Sequence, residues 1–337
     1  MRILLDVMGG DLPSHELVKG GVAVGRRRGI DVVFAGDPQE IKAALADSGE
    51  KPGGKFDILP SSQTIYMESS PVKAVRENKN SSLVLGLNAL KEREADAFVS
   101  PGNTGAVVAG SIFILDRIPG IPRPGILASL PTLTGRDILV IDVGANSDCT
   151  PEQLVHFALM GASYAHDVLG VDEPTVGLLN IGAERGKGNR LIADTFARLE
   201  SGPLQFVGNV EAHHLLIDRP ADIVVCDGFV GNVFLKAVEG GISAVTNLLK
   251  RTIRGRAIAM IGALLMSGSF ARVKSSLSYR KRGGAPLLGV NGVVVVAHGR
   301  SDAAAIGSAV EVACREVEVG LIDRLSEGMS GWREHGR

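Results

Sequence analysis

The chain has 337 residues, 45% of them hydrophobic and 22% charged, with a formal net charge of −1, the balance of a folded globular protein rather than a disordered one. Cys149, Cys226 and Cys314 are odd in number and far apart, which excludes a disulfide framework and a cysteine zinc site and fits reduced, intracellular thiols. Aromatic residues are only 4%, so the core must be built from Val, Ile, Leu and Ala, as buried parallel strands are.

In chain order, Ile3–Val7 reads as a strand emptying into Met8-Gly9-Gly10-Asp11, with a helix from Ser14 to about Arg27. Only three clearly hydrophobic residues precede Asp6, too few for a secretory signal core, so a cytoplasmic location is expected. Asp31–Ala35 reads as a strand, Asp37-Pro38 as a helix start, Phe56–Leu59 as a short strand and Ser81–Glu92 as a helix. Ala97–Leu115 is uncharged for 19 residues, but Pro101-Gly102-Asn103 divides it into strand, loop and helix rather than a membrane span. Gly125–Leu130 and Asp137–Val143 predict two strands joined through Thr132–Arg136, a hairpin in an otherwise parallel order.

Thr150-Pro151-Glu152 is a helix start with a hydroxyl cap, a proline and an acid in the first turn. Val176–Ile181 and Ile223–Cys226 read as strands, and Ser301-Asp302 opens a last long helix running to about Leu321. A loosely held tail is expected from Ser326. The organisation predicted is a single α/β domain over 1–325 built on a mainly parallel sheet, with an inserted helical arm at about 248–282.

Six strand-like runs end in glycine beside Asp or Asn, and a parallel sheet places such loops on one edge, where ligands bind. Glycine lets backbone N–H groups approach an anion, and a helix N-terminus behind the loop adds favourable potential. The candidate phosphate- or substrate-binding residues are Asp6, Gly9, Gly10 and Asp11, with Gly102, Asn103 and Thr104 in the second loop. Asn146, Asn180, Gly186, Gly188, Asp227, Gly228, Gly231 and Asn232 follow, then Gly283, Gly284 and His298. Gly186-Lys187-Gly188-Asn189 is not a P-loop, because its spacing is one residue short and no Ser or Thr follows the lysine. Lys187 between two glycines is nonetheless a point charge suited to phosphate. No serine-nucleophile elbow is found, and no cofactor or metal is required.

Nine basic residues and no acidic ones lie between Lys250 and Arg282. Within that segment Ile253, Ala257, Ile261, Leu264 and Leu265 share one helical face over Ile253–Phe270. Such a helix reads as a buried core element, a subunit contact, or a surface lying on anionic membrane, and its basic flanks favour the last.

Taken together the motifs resemble the bacterial phosphate acyltransferases that make acyl-phosphate from acyl-acyl carrier protein. The resemblance runs from Ile3 to about Gly320 through Asp6–Asp11, Tyr66–Glu68, Phe98–Ala106, Asp142–Asn146, Val176–Gly182, Val225–Val233, Gly283–Gly289 and Ala297–Gly299. It implies a three-layer α/β/α sandwich like that of phosphotransacetylases and isocitrate dehydrogenases, usually dimeric. It implies Lys187 and Asn232 as the catalytic pair, and acyl carrier protein and inorganic phosphate as substrates. A downstream glycerol-3-phosphate acyltransferase would take the product into phospholipid synthesis, and a peripheral membrane contact would run through the 253–265 helix. No nucleic-acid partner is implied. Departures from the family pattern stand at Pro101, Ala183, Glu211–His214 and Arg280–Arg282. A coenzyme A-dependent phosphotransacetylase and a non-catalytic membrane scaffold are the alternative readings.

Overall fold

Successive residues of the first strand, β1 (Arg2–Asp6), are all buried after the first, and they divide between two cores. Ile3 and Leu5 enter one cluster and Leu4 the other, the period-two alternation of a strand covered on both faces. The computed structural model describes residues 1–255, 257–270 and 283–335, without the side chains of 257 and 330–335.

The remaining strands are β2 (Asp31–Gly36), β3 (Phe56–Pro60), β4 (Ala97–Ser100), β5 (Gly125–Leu130) and β6 (Ile138–Ile141). They continue as β7 (Thr175–Asn180), β8 (Gln205–Glu211), β9 (Ile223–Val225), β10 (Ala285–Leu288) and β11 (Val293–Val296). They form one eleven-stranded sheet in the order β3-β2-β1-β4-β11-β10-β5-β6-β9-β7-β8. β1, β2, β3, β4 and β11 are mutually parallel, as are β6, β9, β7 and β8. Between them β10 is antiparallel to both neighbours, and β5 is antiparallel to β6, the hairpin expected from the sequence.

On one face lie α1 (Ser14–Arg28), α2 (Pro38–Asp47) and α12 (Ala303–Glu318) over the first half. The second half is covered there by α6 (Pro151–Asp167), α7 (Arg190–Glu200) and α13 (Leu321–His335). The opposite face carries α4 (Ser82–Lys91), α5 (Thr104–Ile114) and the short α3 (Pro71–Glu77). Its core runs continuously into the second half as far as Leu215 of α8 (Ala212–Leu215). The expected three-layer α/β/α architecture is therefore present.

Three expectations change. The reversal at β10 and β5 splits the six glycine loops between two carboxyl edges, one from β1, β4 and β11 and one from β6, β9 and β7. Six strand steps separate β1 from β9, and a twist of roughly 20–25° per step accumulates to about 120–150°.

Past Ser326 the chain stays helical and is packed as far as Met329. Leu321, Leu325 and Met329 fall at i, i+4 and i+8 on α13 and are buried against the core. The helix expected over Ile253–Phe270 is broken: α9 runs Gly228–Ile253, α10 Ala257–Leu265, and a further helical segment, α11, takes residues 267–270. Arg254 leaves the helix with extended backbone and Gly255 takes φ +82°, a conformation glycine adopts without strain. Arg256, the Ala257 side chain and 271–282, with Arg272, Lys274 and Arg280–Arg282, lie outside the described residues. No helix among the described residues is long and apolar enough to cross a membrane.

Candidate active site

At the first carboxyl edge the loops lock together through backbone and buried polar groups. Asp6, fully buried at the end of β1, accepts from Met8 N (3.0 Å) and Gly9 N (3.1 Å) and from Ser100 Oγ of β4 (2.7 Å). Gly102 N in turn donates to Ser100 Oγ at 3.1 Å. A side chain on Gly9 would lie 2.7 Å from Gly102 Cα, so glycine is required for the loops after β1 and β4 to touch. Asp11 N donates to Gly299 O (2.8 Å), which brings in the loop after β11. There Arg300 N donates to His298 Nδ1 at 3.0 Å, which leaves Nε2 as the protonated nitrogen of the neutral ring.

Asn103 does not face a ligand with its amide. Its Oδ1 caps α5 by accepting from Ala106 N, and its Nδ2 donates to the carbonyls of Met67 (2.8 Å) and Ser69 (3.1 Å). The Tyr66–Glu68 motif is thereby fastened to the β4 loop. Thr104, beside it, is exposed at the start of α5.

The second edge is organised by Asp142, which the sequence reading placed in a family motif but not among the candidate site residues. Its buried carboxylate accepts from Ile126 N, Gly144 N, Ala145 N and Asn146 N, and from Asn146 Nδ2. Burial pushes the Asp142 carboxyl up, against those hydrogen bonds, which lower it. Asn146 gives its second amide hydrogen to Pro124 O, so it braces the loop instead of presenting an amide to a ligand. The signal for Asp142 was its likeness to Asp6: an aspartate ending an apolar run just before glycine.

Gly228 N donates to Asn146 O (2.7 Å), and Asp227 caps α9 by accepting from Val230 N (2.9 Å). A side chain on Gly231 would fall 1.9 Å from Asp142 O, so α9 starts in direct contact with the β6 loop. Asn232 is exposed on the next helical position, and a side chain at Gly144 would meet its amide at 3.8 Å. Asn232 therefore lies in the second turn of the 26-residue α9, with its amide beside the β6 loop.

The loop after β7 is tied down by Asn180, whose Nδ2 donates to Lys187 O at 3.0 Å and whose Oδ1 accepts from Ile181 N. Gly188 sits at φ +95° beside it, and Asn189 caps α7. Gly186 has open space around it. Lys187 is exposed, and neither its Nζ nor the Asn232 amide has a hydrogen-bond partner among the described residues. The two side chains leave strands β7 and β9, neighbours that run parallel, so they emerge at one edge.

Gly283 and Gly284 belong elsewhere. Side chains there would meet Ser308 O of α12 at 2.7 Å and Val296 O of β11 at 2.8 Å, so these glycines permit close packing at the start of β10. No thiol is primed at the site: Cys226 is buried, and burial with the nearby Asp142 charge pushes Cys149 up to about 12.

The family model for fatty acid synthesis proteins matches residues 1–324. The chain belongs to this family. It is 44% identical over 327 residues to the phosphate acyltransferase of Desulfitobacterium hafniense, covering 97% of each chain. Against the phosphate acyltransferase of Heliobacterium modesticaldum it is 43% identical over 331 residues, 98% of each. A phosphotransacetylase from Streptococcus pyogenes shares the fold at a TM-score of 0.62 and 16% identity, over 94% of both chains. This family member is accordingly an enzyme of acyl transfer to phosphate.

Proposed function

We propose that the chain converts acyl-acyl carrier protein and inorganic phosphate into acyl-phosphate and free carrier protein, with Lys187 and Asn232 as the catalytic pair. The observation that carries this reading is selective availability. Of the polar side chains proposed from the sequence, Asn103, Asn146 and Asn180 are committed to braces, whereas Lys187 and Asn232 remain uncommitted at one edge.

In this mechanism a phosphate oxygen attacks the thioester carbonyl carbon, the carbonyl becomes an oxyanion, and the carbon–sulfur bond breaks as the carbonyl re-forms. The thiolate leaves on the carrier protein and takes a proton from water. Phosphate is already anionic, so the site must supply position and charge stabilisation rather than a strong base. Lys187 holds phosphate with the N–H groups of its glycine loop, and Asn232 donates to the oxyanion beside the α9 N-terminus. The glycine loops around Asp6–Asp11, Gly102–Thr104 and His298–Gly299 complete the pocket from the other half.

The exposed arm supports two partner assignments. Val245, Leu248 and Leu249 give α9 an uncovered apolar face, suited to the same face of a second copy. Ile258, Leu264 and Leu265 of α10 are 88%, 74% and 82% exposed beside Lys250, Arg251 and Arg254, a combination suited to an anionic membrane surface. The enzyme would then be a cytoplasmic homodimer resting peripherally on the membrane, delivering acyl-phosphate to a glycerol-3-phosphate acyltransferase for phospholipid synthesis.

The test is phosphate-dependent release of carrier-protein thiol, with coenzyme A thioesters as the competing donor. Wild type should release thiol, and Asn232→Ala should release it roughly 10²–10³-fold more slowly. Equal release by the variant would refute the assignment, and preference for the coenzyme A thioester would move the enzyme to the phosphotransacetylase class.

A further inference from the structure

Asn209 lies on β8, one strand beyond β7, and no feature of its sequence context marks it. It is 7% exposed, its Nδ2 donates to Glu184 O at 3.0 Å, and its Oδ1 has no hydrogen-bond partner among the described residues. A buried amide with an unmet acceptor is a poor core residue, since an apolar side chain of the same size would avoid that desolvation cost and forgo only one hydrogen bond. Its hydrogen bond runs to the loop that carries Lys187.

That loop is held by side chains from two adjacent strands. Asn180 at the end of β7 grips Lys187 O, Asn209 on β8 grips Glu184 O, and Glu184 O also receives Lys187 N at 3.1 Å. The carbonyl Asn209 holds is therefore the carbonyl that orients the Lys187 peptide. Gly188 fits only as glycine, because a side chain would come within 2.6 Å of Asn180 Oδ1. At the outer rim Arg185 pairs with Glu200 at 2.6 Å and stacks over Phe196. The loop has polar anchors at the Glu184 and Lys187 carbonyls, and among the described residues the lysine head group has no hydrogen-bond partner.

We propose that Asn209, acting with Asn180, is a positioning residue for phosphate: the two amides clamp the 182–188 loop so that Lys187 is pre-organised before the anion arrives. This rests on the reading of Lys187 as the phosphate-binding cation. Pre-organisation is worth most where binding must immobilise a flexible group, and a lysine between two glycines is such a group. The clamp therefore acts on phosphate affinity and leaves the acyl donor's affinity alone.

The experiment measures kcat and the KM for phosphate and for acyl-acyl carrier protein in Asn209→Leu, Lys187→Ala and the double variant. Trypsin nicking after Arg185 and Lys187 is followed alongside. For Asn209→Leu the phosphate KM should rise about ten-fold, with the acyl donor's KM within about two-fold. Its thermal stability should be no lower than wild type and its nicking faster, a pattern that loss of a merely structural residue would not give. The double variant should be no worse than Lys187→Ala, because the clamp acts through that lysine. Should Asn209→Leu fail to fold, Asn180→Ala carries the same expectations.

An unchanged phosphate KM with unchanged nicking, or losses that multiply in the double variant, would overturn the clamp while leaving Lys187 in place. An unchanged phosphate KM in Lys187→Ala would overturn the assignment of that lysine, and the clamp with it.

Discussion

Asn232 and Cys149 stand within the same few residues of structure and have opposite fates. The Asn232 amide has no hydrogen-bond partner among the described residues; if it is the proposed oxyanion donor, removing it should lower kcat by roughly 10²–10³ with little change in stability. Steady-state kinetics with a thermal melt would check both halves of that statement. Cys149 touches the Asn146 carbonyl at 3.7 Å, and burial holds its thiol up to about 12. Alkylating reagents at pH 8 should therefore leave Cys149 unmodified and activity intact, since the thiolate is the reactive form. Rapid inactivation traced to Cys149 by mass spectrometry would contradict this. Asparagine is a common turn and cap residue, so sequence alone cannot separate an Asn232 from an Asn146. Only the hydrogen-bond partners distinguish them.

Among the helices, the start of α9 and the seam between α12 and α6 make separate demands. Gly231→Ala places a methyl group 1.9 Å from Asp142 O and 2.9 Å from Cys226 Sγ, against backbone that has no room to yield. Overpacking of this kind costs about 1–3 kcal/mol, and because the shift moves Asn232, melting temperature and kcat should fall together. At the seam, Glu316 of α12 is 1% exposed and meets Tyr164 Oη of α6 at 3.3 Å. Burial pushes the Glu316 carboxyl up to about 8 from 4.5, so the folded state keeps a proton that the unfolded chain releases. Stability is then lost as pH rises through 4.5, and the loss levels off above 8. Glu316→Gln should remove that slope and stabilise the protein at pH 7.5 by on the order of 2–4 kcal/mol. Urea midpoints from pH 5 to 8.5 would show it, and an unchanged slope would refute it. For the arm, Leu264→Glu with Leu265→Glu should abolish binding to anionic vesicles and leave thiol release in solution near wild type. Retained vesicle binding would argue against α10 as the membrane contact.

Across the whole molecule, two parallel half-sheets are joined by strands running against their neighbours, so the glycine loops fall into two groups. Apolar runs alternating with helical periodicity were enough to read the α/β class, the β5–β6 hairpin and most helix starts, because strand burial and capping are written in local residue spacing. Lys187 and Asn232 came from loop chemistry joined to the family motifs. The end of the chain was misread because Leu321, Leu325 and Met329 are spread among glycines and charges, and their common face matters only once a core is there to receive it. The arm's break at Arg254–Gly255 was hidden because hydrophobic periodicity carries across it. What the sequence by itself determined is the set of strands, the loops that end them and the residue types those loops offer. The tertiary structure alone decided that the loops form two groups and that Asp6 and Asp142 are buried hubs. It also decided that most asparagines are braces, and that a buried Asn209 holds the Lys187 loop. Local pattern fixes how a segment folds, whereas strand order, twist and hydrogen-bond partners depend on contacts between residues up to nearly the full chain length apart, and no window of sequence contains them.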